Sequence, residues 1–262
     1  MTLSERFTSL RQRNEAALIL FVTAGDPTLE DLPEITSALQ GAGADVIEIG
    51  IPFTDPIADG PVIQASSQRA LDRGVTPGMV LESLGRCTLD IPVVLMGYYN
   101  PALSWGLGRF ANSAKAAGAS ATIMCDLIPE EAGDWVAASS EAGLDTVFLA
   151  APTSTPQRRQ VVCEAATGFI YAVSRMGVTG SGVEMGESTA GLVADLKSRT
   201  STPVCVGFGI STPDHVRQVS GYADGAIIGS WLVERLTRDW ADPVSRNGLL
   251  EDVRKLKEAT RR

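Results

Sequence analysis

The chain has 262 residues, 44% of them hydrophobic and 20% charged, and carries a net charge of −9. Basic residues are nowhere concentrated, which excludes a nucleic-acid or anionic-membrane binder, whose contact face would have to be positive. The length suits one α/β barrel of about 250 residues or two smaller domains.

In chain order, a helical pattern over 3–13 comes first, followed by the apolar run ALILFVT (17–23). Arg6, Arg11 and Arg13 ahead of that run mimic a signal peptide, but Glu5 and Glu15 break the basic stretch. The run is also too short to cross a bilayer. It reads as a first buried strand, and the protein as cytoplasmic. Further apolar runs follow at intervals of roughly 20 to 45 residues: DVIEIG (45–50), PVVLMG (92–97), ATIMC (121–125), TVFLA (146–150), FIYAV (169–173), PVCVG (203–207) and GAIIG (225–229). Continuous apolar runs are the mark of parallel strands covered on both faces. Helical patterns stand between them, over 29–39, 105–117 and 129–142, and each runs into glycine before the next strand.

Eight alternating β–α units without a linker predict a single domain over 1–262, a (β/α)₈ barrel (the TIM-barrel architecture) with an extra N-terminal helix across its bottom. An open dinucleotide-binding sheet is the competitor. It would need G-x-G-x-x-G after the first strand, where AGDP stands instead.

In a parallel barrel the chemistry belongs to the loops after the strands. Two of these are long, GIPFTDPIADGP (50–61) and SRMGVTGSGVEMGES (174–188), as lids and binding loops are. Lys115, Lys197, Lys255 and Lys257 all fall in outer helices, so none is placed for a Schiff base. Cys87, Cys125, Cys163 and Cys205 are far apart and read as reduced, mostly buried thiols. With them and the single histidine, His215, there is no ordinary zinc set, and no metal is expected. His215 sits just inside a helix start and reads as a surface residue.

What remains is carboxylate: Asp26, Glu48, Asp55, Asp59 and Asp126. Glu48 is the anomaly. Side chains alternate along DVIEIG, so Ile47 and Ile49 face the helices while Val46, Glu48 and Gly50 face the barrel interior. A carboxyl inside an apolar barrel is costly, and desolvation should raise its pKa toward that of a general acid/base. The bland alternative is a structural glutamate with a buried polar partner, although no Arg or Lys lies on a neighbouring strand. Asp59, in TDPIADGP, stays open between turn former and functional carboxylate. Asp55 reads as structural or as an interface contact, and Asp126 as fixing a loop or capping the next helix. GFGIST (207–212) and IGSWL (228–232) supply glycines and a helix N-terminus at the two loops where barrels usually hold phosphate.

EIGIPFTDPIADGPVIQ (48–64) and YAVSRMGVTG (171–180), with VTAGDP, LMGYYNP, DLIPEE, GFGIS and IIGS in order across the chain, resemble the tryptophan synthase α-subunit family. The resemblance implies reversible retro-aldol cleavage of indole-3-glycerol phosphate to indole and glyceraldehyde 3-phosphate. It implies Glu48 as acid/base at indole C3 and the side-chain hydroxyl, with Asp59 polarising the indole N–H. Tyr171 would lie near Glu48, and Thr179 would reach the catalytic aspartate when loop six closes. Gly180, Gly209, Gly229 and Ser230 would bind phosphate; Phe21, Leu149, Phe208 and Tyr98 would wall the indole pocket. Cys125 and Gly97 depart from the family pattern and bear on packing near that pocket.

The resemblance further implies a pyridoxal-phosphate-dependent β partner in an α₂β₂ heterotetramer. Indole would pass to that partner, which alone would hold the cofactor. The Asp55 loop and YYNPALSWG (98–106), read as exposed at the mouth, would form the contact. Two alternatives stand beside this: a stand-alone lyase that uses the same residues and releases free indole, and a barrel that has kept the phosphate cradle but lost catalysis and acts only as an activator or ligand-binding partner.

Overall fold

The computed structural model describes residues 1–174 and 187–262. Eight strands form a closed parallel barrel in sequence order: β1 (Ala17–Thr23), β2 (Val46–Gly50), β3 (Val93–Gly97), β4 (Ala121–Met124), β5 (Asp145–Ala150), β6 (Ile170–Val173), β7 (Val204–Gly207) and β8 (Gly225–Ile228). β8 closes on β1 through pairs such as Leu20 with Ile228. Each strand begins and ends within a residue of the apolar run that announces it, because a strand covered on both faces stays apolar for as long as it is paired.

The alternation of side chains divides the strand residues between two apolar clusters. Ala17, Ile19, Val46, Val94, Ile123, Val147, Phe169, Cys205 and Ile227 fill the barrel. Leu18, Leu20, Val22, Ile47, Ile49 and Leu95 pack outward on the helices. The inward set is closed at the N-terminal end by α1 (Leu3–Gln12), whose Leu3, Phe7 and Leu10 join it. Phe7 meets Phe169 with ring centroids 6.2 Å apart. This helix is started by a capping box, in which Thr2 and Glu5 satisfy each other's backbone N–H.

The outer ring comprises, among the described residues, α2 (Leu32–Gly41), α3 (Pro61–Asp72), α4 (Pro77–Leu84), α5 (Tyr99–Trp105), α6 (Leu107–Ala116), α7 (Gly133–Ala142), α8 (Pro156–Ala165), α9 (Glu187–Arg199), α10 (Pro213–Ser220), α11 (Ser230–Asp239) and α12 (Pro243–Glu258). The helix expected over 105–117 is α6 alone. Gly106, at φ +94°, separates it from α5, a conformation that interrupts any helix. The helix expected over 129–142 is likewise split, into a 3₁₀ turn, Pro129–Glu131, and α7. Gly43, Gly118 and Gly143 take φ of +110°, +102° and +72°, so the glycines ahead of β2, β4 and β5 do reverse the chain in the left-handed region. No helix among the described residues is long and apolar enough to cross a membrane.

Candidate active site

A cavity of about 310 Å³ opens at the C-terminal ends of the strands. It exists because two inward positions of this last barrel layer are glycine. A Cβ on Gly50 would stand 2.5 Å from the Phe21 ring, and one on Gly207 2.1 Å from the Tyr171 hydroxyl oxygen. The two rings therefore lean over neighbouring strands and leave the centre open.

Glu48 lines this cavity and is 1% exposed. Its neighbours in the pleat behave as alternation requires, Val46 packing inside the barrel and Ile47 and Ile49 outside. The buried Glu48 Oε2 has no hydrogen-bond partner among the described residues. Burial, and secondarily the charge of Asp59, pushes its pKa up to about 8. The structural alternative, a glutamate stitched to a buried polar group, finds no such group on that oxygen among the described residues.

Asp59 lies on the same wall, on the loop after β2. The Tyr98 hydroxyl donates to its Oδ2 at 3.0 Å and accepts the Ala58 N–H at 3.0 Å. Gln64 on α3 donates to the Asp59 carbonyl at 2.8 Å, so both backbone and side chain are held. Burial raises the Asp59 pKa, and the bond from Tyr98 opposes that rise. Tyr98 is 6% exposed and stacks on Phe53 at 4.9 Å, which corrects its reading as an exposed contact residue. Of the 98–106 stretch Leu103 is an exposed apolar side chain, whereas Tyr99 and Trp105 pack against the outer core. Ile57, beside Asp55, is 82% exposed.

Beyond the carboxylates the wall continues through the loops after β7 and β8, with Phe208, Gly209, Ser211, Gly229 and Ser230. α11 begins there without a side-chain cap, so the first-turn N–H groups that have no intrahelical acceptor are not taken by a cap and form the anion-favouring end of the helix dipole. No Arg, Lys or His lines the cavity among the described residues. Phe208 adopts φ +77°, a left-handed conformation that costs a residue with a Cβ about 1–2 kcal/mol. Its ring stands edge-on to Tyr171, centroids 6.1 Å apart. Its carbonyl accepts the Ser174 hydroxyl at 2.7 Å.

The cavity wall thus brings together Phe21, Glu48, Asp59, Tyr171, Phe208, Gly209, Gly229 and Ser230 of the residues singled out in the sequence. Tyr98 stands behind Asp59 in a small adjoining pocket. Leu149 does not reach the wall; it is half-buried against the inner apolar cluster. Thr179 and Gly180 lie outside the described residues. Met96 and Ile227 also form the wall and went unread, although both hold inward positions by the alternation that exposes Glu48. Ile63, Ser211 and Trp231 were missed because they come from a helix, a loop end and a first helical turn, where strand alternation gives no signal.

Of the other strand-end acids, Asp55 is exposed and bonded to Thr54, while Asp26 and Asp126 are engaged within the fold. Asp26 is gripped by Arg69 at 2.6 and 3.0 Å and by the Thr237 hydroxyl at 2.9 Å. Asp126 accepts the Tyr99 N–H at 2.8 Å, capping α5 rather than the next helix in the chain. His215 is half-buried on α10 and off the cavity wall. The lysines pair in the outer layer, Lys197 with Asp224 and Lys255 with Asp252 among them. All four cysteines are free. Cys125, half-buried, has its thiol pKa raised by burial and by the charges of Asp59 and Glu48. A Cβ on Gly97 would meet Ile51 at an ordinary 3.7 Å, so that position tolerates a larger residue. Among the described residues no group of three or more His, Cys, Asp or Glu is placed to hold a metal ion.

A closed parallel barrel with chemistry-bearing residues gathered at its C-terminal mouth defines a (β/α)₈-barrel enzyme. The family model for the tryptophan synthase alpha chain matches residues 7–261. The tryptophan synthase alpha chain of Geobacter sulfurreducens is 46% identical over 244 residues, 92% of each chain. That of Desulfatibacillum aliphaticivorans is 45% identical over 258 residues, 97% of each. A solved tryptophan synthase structure from M. tuberculosis superposes with a TM-score of 0.89 at 36% identity, covering 99% of this chain and 98% of that one. The tryptophan synthase subunit alpha of Legionella pneumophila gives 0.88 at 31% identity over 99% and 98%. The chain belongs to the tryptophan synthase alpha chain family.

Proposed function

We propose that Glu48 and Asp59 carry out, in this family member, the reversible retro-aldol cleavage of indole-3-glycerol phosphate into indole and glyceraldehyde 3-phosphate. The observation that carries the assignment is the Glu48 carboxyl, buried, without a partner on Oε2 among the described residues and open to the cavity. With a pKa of about 8 it is mostly protonated at neutral pH and can deliver its proton to indole C3. Protonation makes C3 tetrahedral and places positive charge on the ring nitrogen, whose N–H the Asp59 carboxylate then stabilises. The Glu48 carboxylate so formed takes the proton from the side-chain hydroxyl. The oxygen electrons become the aldehyde carbonyl, and the C3–side-chain bond pair returns to the ring. One proton is given and one taken, so a single carboxyl closes the cycle.

At the other end Gly209, Gly229 and Ser230 meet the phosphate, with Gly180 and Thr179 contributing from loop six as the resemblance implies. Phe21, Phe208 and Tyr171 enclose the indole, while Tyr98 aims Asp59; Leu149 supports the pocket from behind. Residues 1–262 serve as one catalytic domain. The β chain docks across the exposed Ile57 and Leu103 beside the mouth, in an α₂β₂ assembly, and supplies pyridoxal phosphate on its side only. Family membership supports this partnered reaction over a stand-alone lyase.

Consumption of indole-3-glycerol phosphate, measured with and without a β chain, tests the proposal. Cleavage by the chain alone, faster with β, is the expected result, and Asp59→Asn should lower turnover by about tenfold or more with phosphate affinity kept. No cleavage under either condition would overturn the assignment. Cleavage that β leaves unchanged, with no co-elution, would return the chain to the stand-alone reading.

A further inference from the structure

The loop after β7 holds a residue that should not be comfortable where it is. Phe208 and Gly209 both take left-handed φ, +77° and +75°, and only the glycine does so without steric penalty. Ser174, at the end of β6 and 3% exposed, supplies the counterweight. Its backbone N–H donates to the Gly207 carbonyl at 3.0 Å, extending the β6–β7 ladder by one residue, and its hydroxyl donates to the Phe208 carbonyl at 2.7 Å. In a planar trans peptide the C=O and the following N–H point in opposite directions. A Phe208 carbonyl turned to β6 therefore turns the Gly209 N–H away from β6, toward the β8 side, where Gly229 and Ser230 complete the cavity wall.

We infer that Ser174 is a positioning residue for the phosphate end of the cavity: its hydroxyl holds the Phe208–Gly209 peptide in the orientation that presents the Gly209 N–H to the substrate's phosphate. The inference rests on the phosphate reading above. Ser174 itself is off the cavity wall and touches no substrate; it acts through one peptide plane. Because no cationic side chain among the described residues lines the cavity, the direction of each N–H weighs more here than it would beside an arginine.

A double-mutant cycle separates this role from general loop support. Glycine at 208 accepts the left-handed backbone unaided, so the hydroxyl is needed only while a side chain stands there. The probe is glycerol 3-phosphate, which has no indole and so does not report the lost Phe208 ring. Ser174→Ala should weaken its binding about five- to tenfold in the otherwise unaltered chain, and less than twofold in the Phe208→Gly background. For indole-3-glycerol phosphate, Ser174→Ala should raise KM by a similar factor and change kcat less than about twofold. Ser174→Thr, which keeps the hydroxyl, should restore affinity, and Ser174→Cys should fall between; these two decide the matter should the alanine variant not fold. Equal weakening in both backgrounds, or affinity indifferent to the residue at 174, would overturn the inference alone. Failure of the unaltered chain to bind glycerol 3-phosphate at all would overturn the phosphate reading and this inference with it.

Discussion

Two buried acids on one stretch of chain have opposite fates. Asp45, immediately before β2, is 0% exposed; Glu48, three residues on, is 1% exposed. Asp45 sits at the closed bottom of the barrel and is saturated. The Leu18 N–H reaches it at 2.7 Å and Lys257 of α12 at 2.9 Å, and Arg6 of α1 pairs with its other oxygen. Glu48 sits at the open mouth, on the cavity wall, with one oxygen that no described residue bonds. Burial is common to both, so burial does not make an acid reactive. The difference is whether the fold answers the charge. Where it does, the carboxylate is a staple joining α1, β2 and α12. Where it does not, the carboxyl keeps its proton to higher pH and has it to give.

Activity separates the two acids most strongly. Glu48→Gln should lower kcat for indole release about 10³-fold while the circular dichroism and the glycerol 3-phosphate affinity stay those of the unaltered chain. A parallel loss of folding would instead make Glu48 a second staple. Asp45→Ala should do the converse. It strands Arg6 in a part-buried position, leaves Lys257 with Glu15 as its one acidic partner among the described residues, and should cost about 3 kcal/mol, lowering Tm by roughly 10 °C, with kcat of the folded enzyme unchanged.

The response of stability to pH also separates the two acids, by a smaller amount. The folded Glu48 carboxyl titrates near 8, against 4.5 ordinarily. Between those values the folded state holds a proton that the unfolded chain has lost, so stability is fully present below 4.5 and is lost as pH rises to about 8. Glu48→Gln has no such term. Its stability advantage over the unaltered chain should therefore widen by on the order of 2 kcal/mol from pH 6 to pH 8, read from urea unfolding at each pH. A constant difference would mean that Glu48 is already ionised in the folded chain.

The barrel was legible because parallel strands carry their own boundaries, as apolar runs closed by glycine, and β1 coincides with ALILFVT at both ends. Glu48 was legible for a related reason: alternation on one strand is a local rule that says which way a side chain points. What stayed hidden depends on contacts remote in sequence. Tyr98 reads as an exposed aromatic in YYNP until its hydroxyl is found on Asp59, 39 residues away. Asp26 reads as a free carboxylate at a strand end until Arg69, 43 residues on, closes over it. The two-helix break at Gly106 and the 3₁₀ turn at Pro129 were hidden differently, since neither interrupts the apolar periodicity that marks a helix. Of the site, the acid on β2 and the glycines of the last two loops follow from local pattern. The brace from Ser174 to Phe208 needs a backbone angle that no sequence displays.

The most direct test is a titration of the Glu48 side-chain carboxyl carbon by ¹³C NMR in the ligand-free chain, assigned by comparison with Glu48→Gln. A midpoint near 8 is the predicted result, the signature of a buried carboxyl that the fold leaves unanswered. A midpoint at the ordinary 4.5 would show the charge to be solvated or paired after all, and would contradict the acid role assigned to it.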